Sequence, residues 1–317
     1  MSKRVVYFSG KFVPESDARV SIFDSALMMG DMAFEMTRTF NGKPFRLRDH
    51  LVRLYASLKL LEVECGLSID QMEAVTLDTL GRNATTESDD VDWQIMHNVS
   101  RGPMSIYSTV FTEGCGPTVS INCWPLITHM AGFVEKYGHG VDLVIPAQHA
   151  LPASLLDAKA KTRSRVHYQL ANLQAARMGD GCWPVLLDPD GFIAEGTGNN
   201  ILLVKDGVLL SPEPRNILRG VSRATTMRLA EQLKIPLRET NLDRYDAMTA
   251  DEIVSTSTSY CILHARSFEG HPVGDGKAGP VTRRLVEAWK EHVGIDFVTQ
   301  AGDYAGRLTE WEKKYRN

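Results

Sequence analysis

The sequence predicts a two-domain protein of α+β or mixed α/β character. Two observations carry that expectation. At 317 residues the chain exceeds the usual single-domain range, so one large or two packed domains are expected. Helix-period and strand-period segments interleave along its length, without an internal repeat or a low-complexity tract. Hydrophobic residues make up 43% and charged residues 23%, a mixture that supports a full apolar core.

Taken in order, residues 4 to 25 read as short strands with turns at "SGK" and "ESD". "SALMMGDMAFEMTRTFNGKPFRL" reads as a turn, a strand, a hairpin turn at "FNGK" and a return strand. In "RDHLVRLYASLKLLEV" the residues Leu51, Leu54, Leu58 and Leu61 fall at helical spacing. A second helix follows over "SIDQMEAVTLDTLGRN", with Ser68 as its N-cap. "DWQIMHNVS" and "PTVSINCWPL" read as strands, and the glycine-bearing "THMAGFVEKYGHG" as a linker. Beyond it come a strand "VDLVIPA", a helix "KTRSRVHYQLANLQAARMGD", and strands "CWPVLLD", "GFIAE" and "NILLVKDGVLL". A helix from Ser222 to Leu233, strands "PLRETNL" and "EIVSTST", and a helix from about Pro280 complete the pattern. The expected domains are therefore 1–127, a linker at 128–140, a second domain at 141–298 and an extension at 299–317.

Composition narrows the function. A net charge of -4 and a pI near 6.2 argue against dedicated nucleic-acid binding or an anionic membrane surface. The N-terminus lacks a signal-peptide apolar run, and no stretch approaches the ~20 apolar residues of a membrane span. Five scattered cysteines without C-x-x-C spacing read as free thiols in a reducing cytoplasm. Nine dispersed histidines show no metal-binding pair, so no metal site is expected.

Three features of the second half fit one chemistry. "AKAKTRSRVHYQLANLQAARMGDG" reads either as a solvated basic helix start or as a segment with one lysine turned inward. A desolvated lysine is a usable nucleophile and proton carrier toward an aldehyde cofactor. In "IAEGTGNNILLVKDG", Glu195 ends a strand before a glycine turn. "GTGNNI" lacks the third glycine and the helix of a dinucleotide loop, so the acid is either part of a plain turn or a partner for a pyridinium nitrogen. "ILRGVSRATTMRLAEQL" places Gly220-Val221-Ser222 at a helix start, a generic cap or an anion seat, and "STSTS" (255–259) adds hydroxyls at a strand end. A lysine, an acid and an anion site together match the needs of pyridoxal 5'-phosphate.

"EGTGNNILLVKDGVLLSPEPRNILRGVSR" resembles the signature of fold-type-IV pyridoxal-phosphate enzymes, the branched-chain aminotransferase-like family. "ALMMGDMAFEMTRTFNGKPFRLRDHLVRLYASLKLL" and "GDGKAGPVTRRLVEAW" extend the resemblance over almost the whole chain, up to residue 298. It implies a two-domain fold-type-IV enzyme whose 141–298 domain binds the cofactor. It implies a transaminase acting on an amino acid, branched-chain or otherwise hydrophobic, or a primary amine, with a 2-oxo acid as acceptor. An (R)-selective amine transaminase, a D-amino acid transaminase and an aminodeoxychorismate lyase are the alternatives within the fold. By the same similarity Arg53 binds the cofactor phosphate, helped by Val221, Ser222, Ser257 and Thr258. Glu195 pairs with the pyridine nitrogen, Asn200 supports the cofactor, and Leu218 packs against the ring. The spacing that the family keeps between lysine and glutamate selects Lys161, 34 residues before Glu195, over Lys159. Branched-chain relatives carry a tyrosine five residues after the lysine, where this chain has Val166, so the contact to the ring hydroxyl falls to Tyr168 or Arg165.

On the substrate side, the arginine and histidine that hold the carboxylate in D-amino acid aminotransferases correspond to Ile106 and Ser108. Met29, Phe34 and Met36 offer an apolar lining, or are plain core. Arg38 holds a substrate carboxylate or braces its loop, and backbone N–H groups at Thr258 and Ser259 are further carboxylate candidates. The family resemblance implies a homodimer, and the apolar, turn-rich 98–110 segment suits a covered surface.

Overall fold

The computed structural model describes residues 4–84, 91–109 and 114–315, and it divides into two compact units. The first comprises the chain up to Thr128, the segment Ala160–Arg165 and the residues from Gly306 onward; the second comprises His129–Lys159 and Val166–Ala305.

In the first unit, β1 (Val5–Phe8) and β2 (Lys11–Pro14) form a hairpin, and α1 (Ser25–Met29) precedes β3 (Met32–Phe40) and β4 (Lys43–Pro44). Helices α2 (Leu47–Leu60) and α3 (Ile69–Ala84) follow, then β5 (Trp93–Ser100) and β6 (Thr118–Pro125). The strands form one antiparallel sheet in the order β2-β1-β6-β5-β3-β4. Leu51, Leu54 and Leu58 are buried against Ile95, Val99, Val119 and Ile121 of the sheet, and Leu61 packs at the margin of that core. Ser68 caps α3 as expected: its Oγ accepts from Gln71 N at 3.2 Å and Gln71 Oε1 accepts from Ser68 N at 2.8 Å, a reciprocal capping box.

The strands expected over residues 4 to 25 extend only to Pro14. Asp24 instead starts α1, accepting from Ala26 N at 2.8 Å, and Gly30 ends it in the left-handed region at φ 69°.

The second unit holds α4 (Ile127–Ala131, beginning at the boundary), α5 (Val134–His139), β7 (Val141–Val144) and α6 (Val166–Met178). Strands β8 (Trp183–Leu187), β9 (Ile193–Gly196), β10 (Asn200–Lys205) and β11 (Val208–Pro212) come next. They are followed by α7 (Val221–Gln232), β12 (Leu237–Thr240), α8 (Arg244–Met248), β13 (Glu252–Ser257), β14 (Cys261–Phe268), β15 (His271–Pro272), α9 (Pro280–Val293) and the first part of α10 (Phe297–Tyr315), whose residues from Gly306 belong to the first unit. Strands β10, β13, β14, β7, β8 and β9 pair in succession, and β9 returns to β10 through Glu195 and Asn200, so six strands close on themselves. The ring mixes parallel pairs (β14 with β7, β7 with β8) with antiparallel ones, and its interior carries Val141, Leu143, Val185, Ile193, Ile201, Leu203 and Leu263.

Three expectations change. The stretch 128–140 contains two helices, α4 and α5, where a glycine-bearing linker was expected. The helix expected from Lys161 begins only at Val166, because Thr162 forms an antiparallel bridge with Ala33 and the backbone on either side of it bonds to Phe34 and Met32. Residues 299–315 of the expected 299–317 extension, those the structure describes, belong to α10, whose Phe297, Ala301 and Tyr304 are buried at helical spacing.

His97 on β5 is fully buried, and its Nε2 lies 2.8 Å from Thr76 Oγ1. That hydroxyl already donates to Met72 O at 2.6 Å, so Nε2 carries the ring proton and the unprotonated Nδ1 is left without a partner. Burial lowers the His97 pKa to about 4, outweighing the attraction of Glu35. Because the folded value lies below the ordinary value near 6.5, this ring's contribution to stability is whole above pH ~6.5 and is lost as pH falls toward 4. Across that window the loss amounts to about 3 kcal/mol. Denaturant unfolding at pH 7 and pH 4 should show this loss in the native chain and a correspondingly smaller one in His97→Gln.

Candidate active site

In the first unit the site is built on β3. Alternation along the strand places Phe34 and Met36 on one face and Glu35 on the other. The register pairs Phe34 with Asn98 and Met36 with Met96 of β5, which gives one sheet face an aromatic, two thioethers and an amide.

Glu35 is fully buried against α2. Arg53 clamps it through Nε (2.8 Å) and Nη2 (2.7 Å), and His50 Nδ1 lies 3.0 Å from Oε1. Burial alone raises the Glu35 carboxyl, but the charges of Arg53 and His50 and their hydrogen bonds outweigh it and hold the group well below the usual carboxylate range. The two bonds from Glu35 fix the plane of the Arg53 guanidinium.

The segment Ala160–Arg165 lies along β3. Phe34 N donates to Lys161 O at 2.9 Å and Arg163 N donates to Met32 O at 2.8 Å. Lys161 N in turn donates to Ser57 Oγ at 3.0 Å. The cations of residues 161, 163 and 165 all meet the Phe34 ring: Lys161 Nζ at 4.5 Å, Arg163 Cζ at 3.9 Å and Arg165 Cζ at 5.4 Å from its centroid. Lys161 is half-buried. Lys159 is committed elsewhere, to Asp157 at 3.0 Å and to the Arg215 carbonyl at 3.0 Å.

In the second unit the Glu195 carboxylate is buried at 5% exposure on β9. Oε1 accepts from Tyr168 Oη at 2.8 Å; Oε2 accepts from Leu218 N at 3.0 Å and from Asn200 Nδ2 at 3.2 Å. Asn200 Nδ2 also reaches the Leu218 carbonyl at 2.9 Å, tying the β9–β10 pair to the loop before α7. Gly220 makes this possible: a Cβ there would lie 2.1 Å from Asn200 Oδ1. Gly220 is also the N-cap of α7 and offers no side chain, so the N–H groups of Val221 and Ser222 have no acceptor within the helix. By contrast, the N-terminus of α9 is closed by Glu252, which accepts from Val281 N at 2.9 Å and Thr282 N at 2.8 Å. On the sheet face shared with Asn200, the buried Thr256 Oγ1 has no partner among the described residues. An uncapped helix start and a partnerless buried hydroxyl fit a phosphate group, and a buried carboxylate at a strand end fits a protonated ring nitrogen.

The remaining candidates divide. Thr258 and Ser259 form the turn after β13, half-buried and buried respectively, while the Ser257 hydroxyl donates to the Gly198 carbonyl at 3.0 Å. Leu218 is half-buried beside Glu195. Of the two candidates for the ring hydroxyl, the Tyr168 hydroxyl is on Glu195 and Arg165 is on Phe34. Arg38 is fully buried, stacked 4.1 Å from the Phe40 centroid and 3.7 Å from Asp92, so it braces the sheet instead of holding a substrate carboxylate. Met29 is 68% exposed at the end of α1, away from a lining role in this unit. Glu35, His50, Asn98 and Arg163 were not foreseen. The signals were present: an acid inside an apolar alternation on β3, and His50 and Arg53 one turn apart on α2.

The chain matches the class IV amino-transferase family over residues 32–268. It belongs to that family. Membership makes it a pyridoxal-phosphate-dependent aminotransferase of fold type IV. It is 33% identical over 289 residues to a putative branched-chain-amino-acid aminotransferase of Methanocaldococcus jannaschii, covering 90% of this chain and 95% of the relative. The crystal structure of the Escherichia coli branched-chain amino acid aminotransferase matches with a TM-score of 0.81 at 28% identity, over 91% of this chain and 94% of that one. A T.th. branched-chain amino acid aminotransferase with pyridoxamine 5'-phosphate matches with a TM-score of 0.80 at 26% identity, over 99% and 98%.

In this aminotransferase the Gly220–Asn200 contact is directly testable. Gly220→Ala should displace the Asn200 amide from Glu195 and Leu218 and cost about 1–3 kcal/mol in denaturant unfolding. In an Asn200→Ala background the same substitution should cost nothing further, and a full additive cost would exclude the coupling.

Proposed function

We propose that this aminotransferase moves an amino group between a branched-chain or other hydrophobic amino acid and a 2-oxo acid. The observation that carries the substrate class is the face beside Lys161, where Phe34, Met36 and Met96 form an apolar patch 4.5 Å from the lysine amine at its aromatic member. The branched-chain relatives support the same class.

When bound, pyridoxal 5'-phosphate supplies an aldehyde that links to an amine and a ring that draws electrons from the substrate carbon. Lys161 Nζ would be the amine that holds this aldehyde, and once freed by an incoming amine it would take up and return a proton at Nζ. The Glu195 carboxylate would pair with the ring nitrogen and favour its protonated form, and Tyr168, Asn200 and the Leu218 N–H hold the carboxylate in place. Arg53, aligned by Glu35, binds the phosphate, as do the N–H groups of Val221 and Ser222 and the hydroxyl of Thr258. Leu218 would pack on the ring, and the backbone N–H groups at Thr258 and Ser259 are candidate donors to a substrate carboxylate. A 2-oxo acid takes the amino group in the second half-reaction, so the kinetics are ping-pong.

The enzyme works as a homodimer in a reducing cytoplasm. Ile22, Leu27, Met29 and Ile106 are each at least 66% exposed in the first unit. Backbone bonds from Ser25 N to Gly102 O (2.9 Å) and from Met104 N to Phe23 O (3.0 Å) bring their segments together into one apolar patch. None of the five cysteines is in a disulfide, which suits a reducing compartment.

Borohydride reduction followed by peptide mapping should place the pyridoxyl group on Lys161; a label on Lys159 would overturn the assignment. A donor panel with pyruvate and 2-oxoglutarate, comprising L-leucine, L-valine, D-alanine and both enantiomers of an arylalkylamine, should show highest kcat/KM for the L-branched-chain acids. Glu195→Gln should retain the cofactor absorbance while kcat falls by ~10²–10³-fold, because an amide cannot hold the ring proton. Near-native turnover in that variant would remove the role given to the carboxylate. Light scattering at assay concentration should give twice the chain mass, and a fully active monomer would sink the dimer.

A further inference from the structure

Arg163 stands apart from the other arginines around Lys161. Its Nε and Nη2 donate to Asn98 Oδ1 at 3.2 and 2.9 Å, and Nη2 also lies 2.8 Å from Met96 Sδ. The Asn98 amide is oriented for this, since its Nδ2 donates to Ser120 Oγ at 3.3 Å. The guanidinium face rests on Phe34 at 3.9 Å. Every one of these partners is neutral, and among the described residues Arg163 has no carboxylate partner and its Nη1 no acceptor. Burial, and then the charge of Arg165, push its pKa below the usual arginine value, so the fold holds this cation at a cost. Arg53, on the α2 side of β3, is instead matched by Glu35.

A half-buried guanidinium held by an amide and left without an acid is a pre-set receptor for an anion. Its position identifies the anion. Lys161 and Arg163 are two residues apart, and both lie within 4.5 Å of the centroid of one ring. In an amino acid the carboxylate carbon is only ~2.5 Å from the amino nitrogen, so an amine delivered to Lys161 brings its carboxylate to the neighbourhood of Arg163. Nη1 is open to it, and the weak thioether acceptor at Nη2 is readily exchanged for a carboxylate oxygen. The arginine and histidine of the D-amino acid enzymes correspond here to exposed Ile106 and exposed Ser108, which cannot serve that purpose.

We infer that Arg163, positioned by Asn98 and Phe34, binds a carboxylate of the amino-acid or 2-oxo-acid substrate and thereby selects acids over neutral amines. This rests on the proposal that Lys161 is the catalytic lysine. The carboxylate is the one on the reacting carbon or the second one of a dicarboxylic partner such as 2-oxoglutarate, and the two are separated by experiment.

The holoenzyme is titrated calorimetrically with 4-methylpentanoate, glutarate and the neutral 4-methylpentanamide. The native protein should bind the acids at least ~10-fold more tightly than the amide. Arg163→Met should weaken acid binding by ~10–100-fold and leave the amide within ~3-fold. Weakening of both acids identifies the shared carboxylate, and weakening of glutarate alone identifies the second one; either supports the inference. Arg163→Lys, which keeps the charge without the planar fork, should recover part of the loss. Asn98→Asp leaves Arg163 intact but gives it an internal acid, and should weaken acid binding even if Arg163→Met fails to fold. Equal acid affinities in the native protein and in both Arg163→Met and Asn98→Asp would overturn the inference, as would a native protein that binds acid and amide alike. The pyridoxyl label reports on Lys161 separately, so a failure of that assignment is distinguishable from a failure at Arg163.

Discussion

Two backbone hydrogen bonds, Phe34 N to Lys161 O and Arg163 N to Met32 O, set the chemistry of the first unit. They tie the segment Ala160–Arg165 to β3 around a single bridge, Ala33 to Thr162, although the segment is distant in sequence from the rest of that unit. A strand pairing fixes side-chain direction by parity, so a slip of one residue would turn Lys161 and Arg163 away from Phe34 and bring Thr162 and Ser164 toward it. The register is held at both ends by side chains as well: Ser57 Oγ accepts from Lys161 N, and Ser164 Oγ donates to the Gly30 carbonyl at 2.9 Å. The same pairing removes five residues from the helix that the sequence pattern proposes, because backbone bonded to β3 cannot also supply the first turn of α6.

In the second unit the corresponding constraint is the closure of the strand ring at Glu195 and Asn200. Burying a carboxylate is costly unless its oxygens are met by donors. Here a hydroxyl, an amide and a backbone N–H meet it, each from a different element: α6, β10 and the loop before α7. These neutral donors keep the charge on Glu195 instead of cancelling it, which is what a partner for a protonated ring requires. The contrast between α7 and α9 follows the same logic. Glu252 spends its charge inside the protein on the start of α9, whereas α7 begins at a glycine and has no side-chain cap for its first N–H groups.

Much of this was legible in the sequence. The leucines of α2, the capping box of α3, the strand ending at Glu195 and the helix start at Gly220 depend on local pattern, and local pattern is what a sequence displays. The start of α6 was not legible, since hydrogen bonds to β3 outweigh the helical preference of 161–165 and sequence does not reveal a partner that far away. Arg38 misled for a related reason: an arginine on a strand carries no sign of whether its charge is spent on Asp92 and the Phe40 ring or offered to a substrate. The linker at 128–140 was judged from its glycines, yet Gly132 lies between α4 and α5 and Gly140 ends α5, where glycine terminates helices.

The charges beside Lys161 finally bear on which molecules the aminotransferase accepts. Glu35 faces α2 and neutralises Arg53, whereas Lys161, Arg163 and Arg165 gather on a single aromatic ring. Like charges so close repel, and the effect is visible in the lowered pKa of Arg163, to which burial and then Arg165 contribute. A neutral-bodied amine entering as its ammonium form adds a further positive charge to this group. An amino acid enters as a zwitterion and a 2-oxo acid as an anion, so each brings the negative charge that the protein itself leaves out. The charges around Phe34 thus support the proposed selection of acids over amines, and Met36 and Met96 give the same face the apolar surface on which the proposed hydrophobic side-chain preference rests.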